Sequence, residues 1–120
     1  MICRADDTRA TLRKKIRMAT ILGTIQATMT NFGYLRKRWQ NNTEEERLLG
    51  VSLTGIMDCR LINGVNKDTS INSLLNNLKE YSIDINKEWS EKLNIPQSTA
   101  VTCVKPSGTV SQLVDSSSGI

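Results

Sequence analysis

The chain has 120 residues, of which 38% are hydrophobic and 23% are charged, and these values are ordinary for one small globular domain. It contains no histidine and only three widely spaced cysteines, which excludes zinc or redox CxxC spacing, a transition-metal site and a histidine general base. No run approaches the ~20 apolar residues that cross a bilayer, and the first residues lack the apolar core of a signal peptide. We therefore expect a cytoplasmic protein without a membrane partner, in which Cys3, Cys59 and Cys103 are reduced and partly buried.

A long helix is predicted to begin at residues 6–8, because Asp-Asp-Thr supplies short polar side chains and negative charge at a helix start. Gly33 is its predicted end. Its predicted apolar stripe consists of Leu12, Ile16, Met18, Leu22, Ile25, Met29 and Phe32. Residues 19–29 carry no charge and include small side chains, which indicates a helix packed on more than one side, as on the outside of a barrel in a larger protein.

Residues 34–42, the basic segment, contain Arg36, Lys37, Arg38 and Trp39. Basic side chains beside an aromatic ring can hold phosphate and stack a base, so a small basic helical module that binds nucleic acid is one interpretation. The other interpretation is a solvated helix with charges of both signs, because three glutamates follow at residues 44–46. The acidic triplet favours this second interpretation, in which no nucleic acid binds.

Residues 48–57, LLGVSLTGIM, predict a strand that enters a loop. Gly50 and Gly55 have the spacing of a nucleotide P-loop. Ile56 and Met57, however, stand where that motif requires Lys and Ser or Thr, so an ATPase site is excluded.

A second long helix is predicted after a loop at residues 60–68, with Thr69 or Ser70 as its cap and its end near Asn94. Its predicted apolar face consists of Leu74, Leu78, Tyr81, Ile85, Trp89 and Leu93. A short connection at residues 95–98 then leads to a further extended run.

Residues 100–104, AVTCV, are short, apolar and β-branched, which predicts a buried strand. Pro106 cannot extend a strand ladder, and Gly108 allows a tight turn or the close approach of a ligand. The candidate phosphate-binding residues are Ser107, Gly108, Thr109, Val110 and Ser111. Three hydroxyls and the free amides of a helix start would converge there, as proteins commonly hold phosphate, although Ser and Thr are also ordinary N-caps.

Residues 105–120, KPSGTVSQLVDSSSGI, resemble the substrate-phosphate loop of ribonucleotide reductases, in the form carried by the adenosylcobalamin-dependent class II enzymes. The iron-dependent class I enzymes usually have Glu where this chain has Gly108. Two further stretches, ATILGTIQATMTNFGYLRKRW at residues 19–39 and EEERLLGVSLTGIMD at residues 44–58, look most like the monomeric branch that reduces ribonucleoside triphosphates.

The resemblance implies an α/β fold, in which residues 1–120 are a fragment of the ten-stranded ribonucleotide reductase barrel, without an internal domain boundary. Its elements would follow the order helix, strand, helix, strand, helix start. The implied function is part of a ribonucleoside-triphosphate reductase, which makes deoxyribonucleotides by radical chemistry initiated by adenosylcobalamin. The implied partners are a ribonucleoside triphosphate, the rest of the reductase chain and a thioredoxin-type reductant.

In this resemblance the hydroxyls of Ser107, Thr109 and Ser111 and the backbone amides of Gly108 and Val110 hold the substrate phosphates. The family also shares an Asn-Cys-Glu radical segment, a second active-site cysteine and a C-terminal cysteine pair, and none of these occurs in this sequence. We therefore expect a fragment that carries no catalytic residue and is inactive and marginally stable in isolation.

Overall fold

The computed structural model describes residues 1–65, 70–105 and 108–117. These residues form four helices, α1 (Arg9–Gln26), α2 (Lys37–Glu46), α3 (Ile71–Leu93) and α4 (Val110–Leu113). Among them, α1 and α3 are the pair that packs together. In the described parts of the chain, no helix combines the length and the apolar character needed to cross a lipid bilayer.

Helix α1 begins where the sequence predicts and ends earlier. Thr8 is its N-cap: the Thr8 hydroxyl accepts a hydrogen bond from the amide of Thr11 at 3.2 Å, and the Thr11 hydroxyl accepts one from the amide of Thr8 at 2.8 Å. The predicted end at Gly33 is wrong, because after Gln26 the backbone changes to turns with hydrogen bonds between residues three positions apart. The Thr28 hydroxyl donates to the carbonyl of Ile25 at 2.7 Å, and this local bond competes with helical bonding.

The buried face of α1 differs from the predicted apolar stripe. The buried residues of α1 are Leu12, Ile16, Thr20 and Thr24, which recur every fourth position. Met18 and Leu22 are 57% and 62% exposed, so their predicted burial is wrong. Only the side of α1 that faces α3 is covered, and the apolar side at residues 18–29 remains largely open to solvent.

Helix α3 confirms the second predicted helix. Ser70 is its N-cap and accepts a hydrogen bond from the amide of Ser73 at 3.4 Å, while the alternative cap, Thr69, lies outside the described residues. The helix ends at Leu93, followed by Asn94 in the left-handed conformation at φ 53°. Of the predicted apolar face, Leu74, Leu78 and Ile85 are buried, and Tyr81 is partly buried.

A buried polar network joins α1, α3 and the connection that follows α3. The Asn86 side-chain amide donates to the Thr24 hydroxyl at 3.0 Å and to the Ser98 hydroxyl at 2.9 Å. The Asn86 carbonyl oxygen accepts from the amide of Ser98 at 3.0 Å. Because buried polar groups are costly when left unpaired, this network fixes the register of the two helices.

The hydrophobic core is small. Its buried members are Cys3, Leu12, Ile16, Cys59, Ile62, Leu74 and Leu78. All three cysteines are free thiols; Cys3 and Cys59 are buried, whereas Cys103 is exposed, so the expected burial is wrong for Cys103.

Three extended segments lie side by side in parallel, at residues 1–4, 49–54 and 100–103. The pairs Ile2–Thr54 and Val51–Thr102 form isolated parallel bridges. The middle segment therefore contacts both of the others through its backbone.

The predicted α/β barrel fragment is wrong. In the described ranges, the strands predicted at residues 48–57 and 100–104 are extended but make single bridges, and they form neither a sheet nor a barrel. The β-branched run favours an extended backbone, but a buried strand also requires cover on both faces. Val101 is buried, whereas Thr102, Cys103 and Val104 are exposed. The molecule is therefore a small helical protein.

Candidate functional site

The predicted phosphate-binding residues fall in the hydroxyl loop, which we define as residues 108–117. Ser107 lies outside the described residues, as do Pro106 and the last residues of the reductase-like motif, 118–120. Gly108 is exposed, and a Cβ atom built on it would have no atom of the described residues within 4 Å. The space around this glycine is therefore open to a ligand, and the backbone there does not adopt a left-handed φ.

Thr109 precedes α4 and does not use its side chain to cap that helix. The backbone amides of residues 108–111 donate no hydrogen bond to any described residue. Within the described part of the chain, four successive backbone donors therefore lack an acceptor at the start of the hydroxyl loop, beside the exposed hydroxyl residue Thr109.

The structure does not bring the two described hydroxyls of the motif onto one surface. Thr109 is exposed, whereas Ser111 is fully buried, and the Ser111 hydroxyl has no hydrogen-bond partner among the described residues. Val110 is 55% exposed, so its amide lies near solvent while its side chain makes little contact with the core. A buried hydroxyl without a partner costs free energy, and a ligand or a water molecule could satisfy it.

Two charged residues hold the far end of the hydroxyl loop. The Arg4 guanidinium donates to the carbonyl oxygens of Val114 and Asp115. The Asp58 carboxylate accepts a hydrogen bond from the amide of Ser117 at 2.8 Å. These contacts dock the loop on the turn that follows the middle extended segment.

Gly55 makes this docking possible. Its φ is +76°, and a Cβ atom built on it would lie 2.6 Å from the carbonyl oxygen of Cys3 and 3.2 Å from Cβ of Ser116. Any side chain at this position would collide with the backbone of the first segment, so glycine is required here.

A shallow groove of about 420 Å³ lies beside the docked end of the loop. Its lining contains Arg4, Asp58 and Asp115. Two carboxylates face one guanidinium that already binds carbonyl oxygens, so this groove does not favour anions. The side of the loop that suits phosphate is therefore the one at Gly108 and Thr109.

Sequence reasoning missed the roles of Arg4 and Asp58, which position the hydroxyl loop. Both act through contacts between residues more than 55 positions apart. The only sequence signal for Asp58 is that it lies, like Gly55, in the reductase-like stretch at residues 44–58.

The basic segment forms a second surface. Tyr34 and Leu35 precede α2, and Trp39 lies in its first turn; these three side chains are 104%, 53% and 60% exposed, respectively. Arg36, the N-cap of α2, makes no side-chain capping bond, and α2 buries none of its residues. Helix α2 is therefore solvated and carries charges of both signs, as predicted; its exposure does not test the binding of nucleic acid.

Among the described residues, no cluster of cysteine and acidic side chains is arranged to hold a metal ion. Comparison with protein-family models, curated proteins and solved structures finds no match for this chain. The functional assignment therefore depends on the three sequence stretches and on the geometry of the hydroxyl loop.

Proposed function

We propose that this chain is the substrate-phosphate-binding segment of a ribonucleoside-triphosphate reductase. The observation that carries the proposal is the row of four amides at residues 108–111 that have no acceptor among the described residues, beside the exposed Gly108 and Thr109. Phosphate oxygens accept several hydrogen bonds from successive backbone amides, and such an arrangement is a common way to hold them.

The contacts between the three reductase-like stretches support the proposal. Leu49 packs against Gly23, since a Cβ atom built on that glycine would lie 3.3 Å from Cδ2 of Leu49. The Asp58 carboxylate binds the amide of Ser117, which joins the second stretch to the third. Residues that resemble one family thus form a single contact network in this molecule.

In this proposal the chain binds and orients the triphosphate of the substrate. Amides of Gly108 and Val110 and the hydroxyls of Ser107 and Thr109 supply the contacts, whereas the buried hydroxyl of Ser111 lies outside this phosphate site. In the intact reductase, adenosylcobalamin would supply the radical and a thioredoxin-type reductant would supply the electrons. The proposal assigns the binding of both to other parts of that enzyme. The purified chain should therefore form no deoxyribonucleotide when supplied with substrate, cobalamin and a dithiol, and product formation would contradict this division of roles.

The binding of CTP to the chain tests the proposal directly, by calorimetric titration of the full 120-residue protein. Gly108→Val should weaken CTP binding strongly, because a β-branched side chain blocks the approach of phosphate to the backbone. Gly33→Val is the matched control: Gly33 also has open space around it, has no left-handed φ and lies outside the hydroxyl loop. Both variants should fold equally well, so a loss confined to Gly108→Val reports on the ligand.

Single substitution of the hydroxyl residues gives a second readout. A hydrogen bond to a charged acceptor is worth roughly 1.5–3 kcal/mol, so Thr109→Ala should weaken CTP binding about ten- to a hundredfold. Ser107→Ala should act in the same direction, whereas Ser111→Ala, at a buried hydroxyl, should leave CTP affinity unchanged. Equal CTP affinity in Gly108→Val, Gly33→Val, Thr109→Ala and Ser107→Ala would show that the loop is a structural turn.

A second candidate function is the binding of single-stranded nucleic acid by the basic segment. The exposure of Tyr34 and Trp39 beside Arg36, Lys37 and Arg38 favours it, because aromatic rings stack on bases and cations neutralise phosphates. In this case a labelled oligonucleotide should bind more weakly as salt rises and should lose affinity in Trp39→Ala. Gly108→Val would leave that binding unchanged, which separates the two candidate functions.

A further inference from the structure

The third extended segment, residues 100–103, has an unpaired outer edge. On its inner side, Val51 donates to the carbonyl of Val101 at 3.0 Å and accepts from the amide of Cys103 at 3.4 Å. In a parallel pairing, the residue between two bonded residues directs its own amide and carbonyl to the opposite side. The N–H and C=O of Thr102 therefore face outward, and neither bonds to another described backbone group.

The same edge continues through Val104. This residue has the same parity as Thr102, its side chain is 95% exposed, and its amide has no backbone partner among the described residues. An exposed apolar edge with free donors and acceptors is a template for another extended chain.

An apolar groove of about 400 Å³ lies between α3 and one face of the middle and third extended segments, and residues 102–105 form part of its wall. Apolar residues that line it include Leu53, Ile62, Leu75 and Leu78. Two lysines, Lys79 and Lys105, also line the groove, and the described residues of its lining include no acidic side chain. The groove therefore offers apolar contact along its length and positive charge at two points.

We propose that the outer edge at Thr102 and Val104 binds an extended peptide of a partner protein, which adds a strand beside this segment. Main-chain hydrogen bonds to Thr102 would hold the peptide, and alternate apolar side chains would enter the groove next to Leu75. The two lysines that line the groove assign the opposite charge to the partner, so the peptide carries an acidic residue near Lys79 or Lys105. This inference depends on the unpaired backbone edge and on the groove lining, and it is independent of the proposed reductase function.

The test uses the full chain and a fluorescent seven-residue peptide that alternates leucine or valine with threonine and ends in glutamate on both sides. Binding is followed by fluorescence anisotropy. Thr102→Pro removes the outward amide and leaves the inner bonds of Val101 and Cys103 intact, so it should weaken peptide binding about tenfold. Thr102→Val keeps the amide and should bind the peptide as the unmodified protein does.

Two controls keep the result interpretable if Thr102→Pro alters the fold. A peptide N-methylated at those alternate residues whose amides face Thr102 cannot donate the main-chain bonds, and its methyl groups block close approach, so it should lose binding to the unmodified protein; a peptide methylated at the other alternate residues should not. Lys79→Glu should weaken the binding of the glutamate-ended peptide and strengthen that of a lysine-ended one.

The inference is overturned if the peptide N-methylated at the residues that face Thr102 binds as well as the unmodified one, because the groove alone would then account for the affinity. It is also overturned if the edge pairs with a second copy of this chain. In that case the protein would be a dimer by analytical ultracentrifugation, Thr102→Pro would make it a monomer, and the peptide would not bind the dimer.

Discussion

Asp7 holds the start of α1 in place through three hydrogen bonds. Its side chain is 5% exposed and accepts from Lys15 Nζ at 2.6 Å, from the Thr11 hydroxyl at 2.7 Å and from the amide of Arg4 at 2.8 Å. Burial raises the pKa of Asp7, but the hydrogen bonds from Lys15, Thr11 and Arg4 outweigh it, and the net pKa lies below the usual value.

Asp7→Asn should lower the free energy of unfolding at pH 7 by about 1–3 kcal/mol, because it breaks charged hydrogen bonds at a largely buried site. A depressed carboxyl pKa contributes stability above the pKa of the unfolded chain, and this contribution is lost as pH falls through the folded pKa. The difference between the two proteins should therefore shrink below about pH 5. Urea unfolding at pH 7 and at pH 3 measures it, and an equal difference at both pH values would contradict this role.

The three thiols differ in accessibility to reagents. Burial, followed by the nearby Cys59 and Asp7, raises the pKa of Cys3 to about 11, whereas Cys103 is exposed. Because the thiolate is the reactive species, iodoacetamide at pH 8 should alkylate Cys103 rapidly and should spare Cys3 and Cys59. Mass spectrometry of peptides measures the sites, and addition of urea should make all three react. Rapid alkylation of Cys3 in the folded protein would contradict the described core.

At the scale of single elements, α2 is stabilised by hydrogen bonds to residues outside the helix rather than by the placement of charges along it. Its N-terminus carries cations at residues 36–38 and its C-terminus carries three glutamates, which is the reverse of the arrangement that the helix dipole favours. The helix is instead held by the segment that follows α1: the Arg47 guanidinium donates to the carbonyl of Ala27 at 2.6 Å, and the Thr30 hydroxyl donates to Glu44 at 2.8 Å. We therefore expect α2 to open more readily than α1 or α3.

Arg36→Asp should stabilise α2. Arg36 is the N-cap, has the extended backbone of a capping residue and makes no side-chain capping bond, so an aspartate there could accept from the free amides and favour the dipole. The gain should be about 1 kcal/mol, seen as roughly fivefold slower hydrogen exchange of the α2 amides. Arg36→Ala removes the cation without adding an acceptor and should give a smaller gain. Equal exchange in all three proteins would show that tertiary contacts alone set the stability of α2.

The elements that could be predicted from the sequence are those fixed by local chemistry. Thr8 and Ser70 cap the two long helices, and the spacing of Leu74, Leu78 and Ile85 identifies the face that α3 buries. The pairing of the extended segments could not be predicted, because it depends on distant partners that a β-branched run does not specify.

The same limit applies to α1 and to the candidate site. The sequence predicts one apolar stripe on α1 that includes Leu22, whereas packing on α3 buries Thr20 and Thr24 instead. In the hydroxyl loop the motif identifies Thr109 and Ser111 equally, and only the structure shows that one is exposed and the other buried.

At the scale of the whole molecule, the chain is extended for its size. Its radius of gyration is 15.9 Å and its extents are 49 × 30 × 18 Å. A compact domain of this length would have a radius of gyration of about 14 Å. The small core and the exposed apolar side of α1 predict an unfolding free energy of about 5 kcal/mol or less, at the low end for natural domains.

The open side of α1 predicts that lysine can replace Leu22 with little change in the free energy of unfolding, whereas it cannot replace Leu12. Leu22→Lys places the charge on the open side of α1, where the side chain is already 62% exposed, and lysine forms helices about as well as leucine. Its free energy of unfolding should change by less than about 0.5 kcal/mol, and aggregation should decrease because an apolar patch is removed. Leu12→Lys, on the same helix, buries a charge at a fully covered position and should cost more than about 4 kcal/mol, which would unfold the chain. Urea unfolding and light scattering measure both effects. If Leu22→Lys destabilised the protein as strongly as Leu12→Lys, a partner element would have to cover that side of α1, and the open helical structure would be wrong.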